Sequence, residues 1–301
     1  MVDKRVRADM TLERGLTAFT NSLLGKNRSG ATVRAYDTDI RQFIAFLNET
    51  NVAAGEPAGE PAGVSRLDIL DYLSTLAKRG LTGVARARKV SALREYFRFL
   101  QSVGVLEKSP LAGIESPKRE RNARQYLRSD EFAKMLSLAG ANPRDYAILQ
   151  VFPQTGVRVS ELAGLAREDV DLTKPSITVR GKGNAEREIV LEKRGVQAIR
   201  NYLAVRAESQ SSLVFLNYKG EPISERGVRK LVVKYRIAAG ITKKASCHTL
   251  RHTFATYKAE HGVSPFQLQQ WLGHANLNTT QIYVHLGKQN AKKIMEQTSL
   301  A

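Results

Sequence analysis

All five histidines of this 301-residue chain lie in one stretch near its C-terminus. They are His248, His252, His261, His274 and His285. The stretch also contains Arg251 and Tyr283. Gly262 followed by Ser264 and Pro265 predicts that one helix ends here and another begins, with the serine as N-cap. This segment therefore gathers imidazole and guanidinium groups near one phenol.

The second predicted helix ends at Gly273, which places His274 in a loop. Asn278, with a glutamine three residues later, resembles a capping box and begins a third short helix that carries Tyr283. A phenol with a pKa near ~10 is a weak nucleophile unless a base or a positive field assists it. A phosphate under attack spreads negative charge over its oxygens, and bidentate arginines match that geometry. The stretch therefore suits chemistry at a phosphodiester.

A second set of candidate residues lies upstream, where Thr155-Gly156 predicts a turn. Arg158 falls in the first turn of the following helix, and Glu161 lies three residues later, where it can orient the guanidinium. The alternative is a surface ion pair worth ~0–1 kcal/mol. Pro153 is expected to kink or end the helix that precedes this turn.

Residues 177–180 and 186–191 read as two strands around a glycine-rich turn at 181–184. Lys182 lies at the tip of this predicted hairpin. A turn lysine is commonly no more than a solubilising charge, but an ammonium group here could also serve as a proton donor.

These motifs together resemble those of the tyrosine site-specific recombinases, the phage integrase family. The resemblance is carried by residues 155–162 (Thr-Gly-Val-Arg-Val-Ser-Glu-Leu), 248–252 (His-Thr-Leu-Arg-His), 272–274 (Leu-Gly-His) and Tyr283. It extends over nearly the whole chain and is greatest to Xer-type and small transposon-encoded members. It implies a mainly α fold with a small β-sheet in the C-terminal domain. A helical core-binding domain would precede a catalytic domain.

The resemblance also implies a mechanism. Tyr283 would attack the scissile phosphate and form a 3′-phosphotyrosyl link, with His248 as general acid/base toward the tyrosine. Lys182 would protonate the 5′ leaving oxygen. A 5′ hydroxyl from a partner duplex would reverse the step and form a Holliday junction.

In the same family pattern, Arg158, Arg251 and His274 would stabilise the charge of the transition state, and Glu161 would support Arg158. Pro153 departs from the family pattern. Neither a cofactor nor a metal is implied, and the sequence contains no P-loop motif.

The net charge of +18 and the pI near 10.1 indicate a polyanionic partner. The sequence has no apolar run long enough for a membrane span and no lipidation signal, so double-stranded DNA is favoured over a membrane. A single cysteine, Cys247, excludes an intrachain disulfide and a cysteine-based zinc site. We expect it to be a small buried side chain rather than a redox group, in a protein of the reducing cytoplasm.

We predict a helical DNA-clamping domain at residues 1–115, a basic linker at 116–125 and a catalytic domain at 126–301. A helix over 83–103 has Val84 among its inward-facing residues. Its other positions carry candidate DNA contacts, as do the linker, the helix at 224–237 and the segment before His248. A solvated surface is the alternative for each. The candidates are Arg86, Arg88, Lys89, Arg94, Lys118, Arg119, Arg226, Arg229, Lys230, Lys243 and Lys244.

A tail at residues 286–301 follows the predicted nucleophile, and Gly287 can act as its hinge. In the resembling family such a tail docks on the neighbouring protomer, which implies a homo-tetramer on two DNA sites with paired half-sites. Docking in cis is the alternative. Two other functions stay open, a type IB topoisomerase and a non-catalytic DNA-binding module.

Overall fold

The computed structural model describes residues 10–54, 59–117, 125–181 and 185–273, with the backbone alone for 51–54. The chain divides into two units, Met1–Asn122 and Ala123–Ala301. The predicted class, mainly helical with a small sheet in the C-terminal domain, is confirmed. Among the described residues, no helix has both the length and the apolar character that a membrane span requires.

Four α-helices form the described part of the first unit. They are α1 (Leu12–Gly25), α2 (Gly30–Ala54), α3 (Arg66–Lys78) and α4 (Gly83–Ser102), with a 3₁₀ turn at Pro61–Gly63. Side chains of Thr11, Ser65 and Thr82 accept hydrogen bonds from backbone N–H groups in the first turns of α1, α3 and α4. These caps satisfy backbone N–H groups that have no partner within the helix, and they fix where the three helices begin.

The core of this unit is built from aromatic side chains on α2 and α4. Phe43, Tyr96 and Phe97 are fully buried, and the Tyr96 hydroxyl donates to the Leu12 carbonyl at 2.6 Å. The prediction for Val84 is wrong, since 52% of its surface is exposed. It lies in a row of α4 that faces solvent, one position after the buried row that begins at Gly83.

Lys89 does not lie on an exposed basic face, which corrects the placement expected from sequence. Its side chain is only 5% exposed, and its ammonium donates to Asp39 Oδ1 at 2.8 Å. Asp39 is completely buried and also accepts from Arg88 Nη2 at 2.8 Å. A buried carboxylate requires paired cations, so these two residues are drawn to it. The Arg88 side chain is nevertheless half exposed.

Two further candidates on α4 are placed differently. Arg86 is partly buried. Arg94 donates to Ser116 Oγ at 2.7 Å and to the Ile114 carbonyl. Ile114 is itself buried in the core of the first unit. Arg94 thus fastens the start of the predicted linker, whereas Lys118 and Arg119 lie outside the described residues.

The described part of the second unit contains seven helices and three strands. They are α5 (Ser129–Ala139), α6 (Pro143–Thr155), α7 (Val159–Ala163), β1 (Val170–Asp171), β2 (Ser176–Arg180), β3 (Glu186–Val190), α8 (Lys193–Val205), α9 (Glu225–Ala238), α10 (Cys247–Glu260) and α11 (Pro265–Leu272). A 3₁₀ turn at Arg167–Asp169 precedes β1. The strands form one antiparallel sheet in the order β1-β2-β3.

The hairpin of β2 and β3 has a register that pairs Val179 with Arg187 and Arg180 with Glu186. The Gly181 N–H donates to the Ala185 carbonyl at 2.8 Å and continues the ladder toward the turn. Successive residues of a strand alternate between faces, so Arg187 shares its face with the buried Ile189. Lys182, expected at the tip, lies outside the described residues.

Helix α6 lies at the centre of this unit, and Ile148, Leu149 and Phe152 are fully buried. It packs against α8 and α10. The helix does not end at Pro153 but continues to Thr155 and stops at Gly156, whose φ of 59° is left-handed. An L side chain is unfavourable in this conformation, so the end of the helix is set by the glycine.

Candidate active site

Helix α10 carries the first two candidate residues, His248 and Arg251. Ser246 caps it by accepting from the Thr249 N–H, which fixes the first turn. Arg251 is buried, and its guanidinium donates to the Gly156 carbonyl at 2.7 Å and to the Leu272 carbonyl at 2.5 Å. The arginine therefore joins the end of α6 to the end of α11.

Arg158 is the N-cap of α7 rather than a residue of its first turn. Its backbone N–H donates to Glu161 Oε2 at 2.7 Å, and its Nη1 donates to Oε1 of the same carboxylate at 2.7 Å. Its Nη2 donates to the Gly273 carbonyl at 2.7 Å. The side chain is 39% exposed, so the guanidinium is held in place and still reaches solvent.

A third arginine, Arg187, completes this network from β3. Its Nη1 and Nη2 donate to Glu161 Oε1 and Oε2 at 2.9 and 2.8 Å, and its Nε donates to the Trp271 carbonyl at 2.8 Å. Two parallel hydrogen bonds to one carboxylate form a bidentate pair, which fixes the orientation of the guanidinium. Only 13% of its side chain is exposed.

The three arginines, which we call the arginine cluster (Arg158, Arg187 and Arg251), bind consecutive carbonyls at the end of α11. Trp271 accepts from Arg187, Leu272 from Arg251 and Gly273 from Arg158. The last carbonyls of a helix have no partner within the helix, and the helix dipole makes this end negative. Three cations are thereby fixed beside the residue that precedes His274.

Among the described residues, these hydrogen bonds place the Glu161 carboxylate against two of the three guanidinium groups. Burial by itself raises the pKa of Glu161. Hydrogen bonds from the Arg187 side chain and the Arg158 backbone, with the charge of Arg187, outweigh burial and lower the pKa to about 2. The carboxylate is therefore ionised throughout the physiological range and orients two guanidiniums.

Glu161→Gln is expected to lower the free energy of unfolding at pH 7 by on the order of 3 kcal/mol. The folded pKa of about 2 lies below the unfolded value. The stabilisation is therefore complete above pH ~4.3 and is lost as the pH falls toward 2. Urea unfolding followed by the fluorescence of Trp271, the single tryptophan, should show the mutant and wild type converging in acid. The exposed Glu188→Gln is the matched control, and a difference that is constant with pH would contradict the assignment.

His248 and His252 form a pair on one face of α10. Their Nε2 atoms lie 2.9 Å apart, so one ring donates to the other and at least one of them is neutral in this contact. His248 is exposed and His252 is buried. The His248 imidazole thus faces solvent, and its orientation is fixed by the hydrogen bond to the buried His252.

Cys247 is buried beside His248, as expected. Burial raises the pKa of its thiol to about 11, which keeps it protonated and unreactive. Among the described residues, no group of three or more His, Cys, Asp or Glu side chains is arranged to hold a metal ion.

The candidate DNA contacts of this unit fall into two groups. Arg226, Arg229 and Lys230 are exposed on α9, and Arg229 pairs with Glu225. Lys244 is also exposed, whereas Lys243 is bound to Glu131 at 2.6 Å and to the Tyr126 carbonyl at 3.0 Å. The ammonium of Lys243 therefore joins two segments of its own domain.

The structure thus brings Arg158, Arg251 and Glu161 together around the end of α11, with His248 on the adjoining helix. Three predicted catalytic residues, Lys182, His274 and Tyr283, lie outside the described residues, as does the tail at 286–301.

Neither Arg187 nor the carbonyls of residues 271–273 were predicted to take part in the site. One signal pointed to Arg187. Arg187 and Ile189 are two positions apart in a strand and so share its inward face, where a charge needs a partner. Nothing in the sequence pattern identifies backbone carbonyls as the partners of specific arginines.

Comparison with known proteins agrees with this architecture. The model of the phage integrase family matches residues 125–290, and that of the phage integrase N-terminal SAM-like domain matches residues 16–104. The chain is 35% identical over 296 residues to tyrosine recombinase XerC of Thermodesulfovibrio yellowstonii, covering 94% of this chain and 95% of the relative. It is 31% identical over 285 residues to tyrosine recombinase XerD of Listeria innocua, covering 91% and 94%.

Among solved structures, a lambda integrase tetramer bound to a Holliday junction matches with a TM-score of 0.74 at 19% identity. The match covers 93% of this chain and 79% of that one. At this identity the likeness shows a shared fold. The recombinase relatives carry the argument for family and activity, and they give no support to a topoisomerase or a non-catalytic module. The chain therefore belongs to the phage integrase family of tyrosine recombinases and is, as predicted, an enzyme of site-specific DNA recombination.

Proposed function

We propose that the protein exchanges strands between two double-stranded DNA sites through a 3′-phosphotyrosyl link at Tyr283 and a Holliday junction. One observation carries the assignment of the phosphate-binding residues. Arg158 and Arg251 come from distant parts of the sequence, and both are anchored at the end of α11, directly before His274. Cationic groups fixed in advance stabilise developing negative charge without rearrangement during the reaction.

In the proposed cleavage step, the Tyr283 oxygen bonds to phosphorus as the bond from phosphorus to the 5′ oxygen breaks. His248 accepts the phenolic proton, and Lys182 donates a proton to the leaving oxygen. Arg158, Arg251 and His274 bind the non-bridging oxygens. The phosphotyrosyl ester conserves the energy of the broken diester, so a 5′ hydroxyl of the partner strand can reverse the step without a nucleoside triphosphate.

A plasmid assay tests this function. The target can be identified by sequencing DNA fragments recovered with covalently attached protein, and two copies of it are then placed in one supercoiled plasmid. We expect recombinant products that persist in excess EDTA. Relaxation without recombinants would favour a type IB topoisomerase, and neither product would favour a non-catalytic module.

The proposed partner is DNA with paired half-sites, bound by four protomers on two sites. The fold shared with a lambda integrase tetramer on a Holliday junction supports this proposal. A groove of about 470 Å³ in the second unit, with Phe132, Leu136 and Tyr257 among its lining residues, provides a surface on which the apolar side chains of a short helix could dock. The tail at 286–301 of a neighbouring protomer is its proposed occupant.

Truncation after Gly287 is therefore expected to leave binding of one protomer to a half-site nearly unchanged but to remove cooperative occupancy of the full site. A short helix needs a docking surface, and the tail would supply the contact between protomers. Gel-shift titration of half and full sites measures both effects. Unchanged cooperativity would mean that the tail packs in cis, and loss of half-site binding would make it part of the fold.

We also propose three functional segments, which are a DNA-clamping domain at 1–115, a linker at 116–125 and a catalytic domain at 126–301. Their exposed cations would supply the remaining phosphate contacts. The basic face of α4 with Arg86, Arg88 and Arg94, the linker with Lys118 and Arg119, and the exposed cations of α9 would follow the DNA backbone. Lys89 and Lys243 would support this surface through their ion pairs. The single cysteine fits a protein that acts in the reducing cytoplasm.

Binding is accordingly expected to weaken steeply with salt, because each neutralised phosphate releases counterions. For roughly 6–10 phosphate contacts, affinity should fall by about 10³–10⁵ between ~50 and ~200 mM salt. Fluorescence anisotropy with a labelled duplex measures the slope. A flat profile would show that the charge of +18 does not act on DNA.

A further inference from the structure

Arg187 is the member of the arginine cluster to which the proposed mechanism gives no role. All three of its nitrogens donate within the protein, two to Glu161 and one to the Trp271 carbonyl. It is also tightly enclosed. A Cβ added at Gly273 would lie 2.9 Å from Arg187 Nη1. Arg187 therefore contacts the same carboxylate and the same helix end that hold Arg158 in place.

Arg187 and Arg158 share one carboxylate, that of Glu161. Each guanidinium has five N–H donors. Arg158 uses one nitrogen on the carboxylate and another on the Gly273 carbonyl, with its side chain partly in solvent. Both Glu161 oxygens are meanwhile held by Arg187. Without Arg187, a buried carboxylate would be left to Arg158, which would turn both arms of its guanidinium toward it.

Arg187 also contacts the C-terminal end of α11. The Trp271 carbonyl is bound by Arg187, and the Gly273 carbonyl that anchors Arg158 lies two residues later. Gly181, at the end of the described part of the hairpin strand, also adjoins this guanidinium, since an added Cβ would lie 4.0 Å from Arg187 Nη1. One side chain thus contacts Glu161 and the end of α11 and lies close to Gly181.

We propose that Arg187 is a positioning residue that keeps Arg158 directed at the scissile phosphate, by occupying both oxygens of Glu161 and fixing the end of α11. This inference rests on the proposed recombination mechanism. It predicts a defect specific to stabilising charge on the phosphate, because Arg158 would be drawn away from that charge.

The test compares wild type, Arg187→Met and Arg187→Lys as full-length proteins on a nicked suicide substrate. The scissile group is either the natural phosphate or a neutral methylphosphonate. Arg187→Met is expected to bind DNA like wild type and to form the covalent adduct about 10²-fold more slowly on phosphate. On methylphosphonate the loss should shrink to less than ~10-fold, because less negative charge then depends on Arg158. Lysine keeps the charge but presents its donors from a single nitrogen rather than from a planar fork, so its loss should be intermediate with the same pattern.

Arg144→Met is the matched control. Arg144 also binds a carboxylate, Asp145, and a backbone carbonyl, that of Leu216, in the same unit. A general loss of structure would slow adduct formation by the same factor on both substrates, which is the pattern expected of Arg144→Met. If both Arg187 variants also lose the same factor on the two substrates, or if they form the adduct at the wild-type rate, the positioning role is overturned. If wild type forms no adduct with either substrate, the recombination mechanism itself is refuted.

Discussion

Tyr283→Phe is expected to abolish the covalent protein–DNA adduct while leaving DNA binding intact. Phenylalanine keeps the ring and its packing but has no oxygen to attack phosphorus. Loss of the nucleophile of an enzyme typically costs at least ~10⁴-fold in rate. A nicked suicide substrate incubated with the protein and run on a denaturing gel measures the adduct, and a gel shift under native conditions measures binding.

The matched control for this experiment is Tyr218→Phe. Tyr218 is 89% exposed and lies in the same unit as the proposed nucleophile. Its loss should leave adduct formation within about twofold of wild type, as for surface substitutions in general. An adduct formed by Tyr283→Phe would assign the nucleophile to another residue, and the proposed mechanism would then be wrong.

Gly156→Ala is expected to give the largest loss of stability among single substitutions at the site. The φ of 59° is left-handed, and the new methyl group would lie 2.5 Å from Phe254 Cδ1 and 2.9 Å from Leu272 Cδ2. Strain of about 1–2 kcal/mol adds to an overpacking cost of about 1–3 kcal/mol. The Gly156 carbonyl also accepts from Arg251, so the displaced backbone should slow cleavage as well.

Gly240→Ala separates these two costs. Gly240 has a similar φ of 70°, but the nearest atom to an added Cβ is Lys134 Nζ, at 4.0 Å. This variant should lose only the strain of about 1–2 kcal/mol. Trp271 packs against Phe254, so its fluorescence during urea unfolding reports on the region that Gly156→Ala disturbs. Equal destabilisation of the two variants would show that the contact with Phe254 can relax.

Local patterns in the sequence predicted a helix start and the hairpin. Ser264 caps α11 where the sequence predicts it, and strands β2 and β3 lie where the sequence places two strands around a glycine-rich turn. These signals succeed because a cap or a turn depends on residues within a few positions of one another.

The site was only partly predictable. Arg158, Glu161 and Arg251 were candidates from local motifs, and their roles were assigned through a family resemblance. In the first unit, Lys89 was placed on the surface, although it pairs with a carboxylate 50 positions away. Arg187 contacts a carbonyl 84 positions away. Pairings of this kind follow from how helices and strands pack, so no periodicity of the sequence reveals them.

The anchoring of three arginines on successive carbonyls has a consequence for evolutionary change. A carbonyl belongs to the backbone, so for these hydrogen bonds any side chain at positions 271 and 272 that keeps the helix is equivalent. The number of residues is what matters, because an insertion or deletion there would move each carbonyl away from its arginine. We therefore expect mutational drift at these positions to be tolerated by the anchor, while changes in length between Leu268 and Gly273 are eliminated by selection.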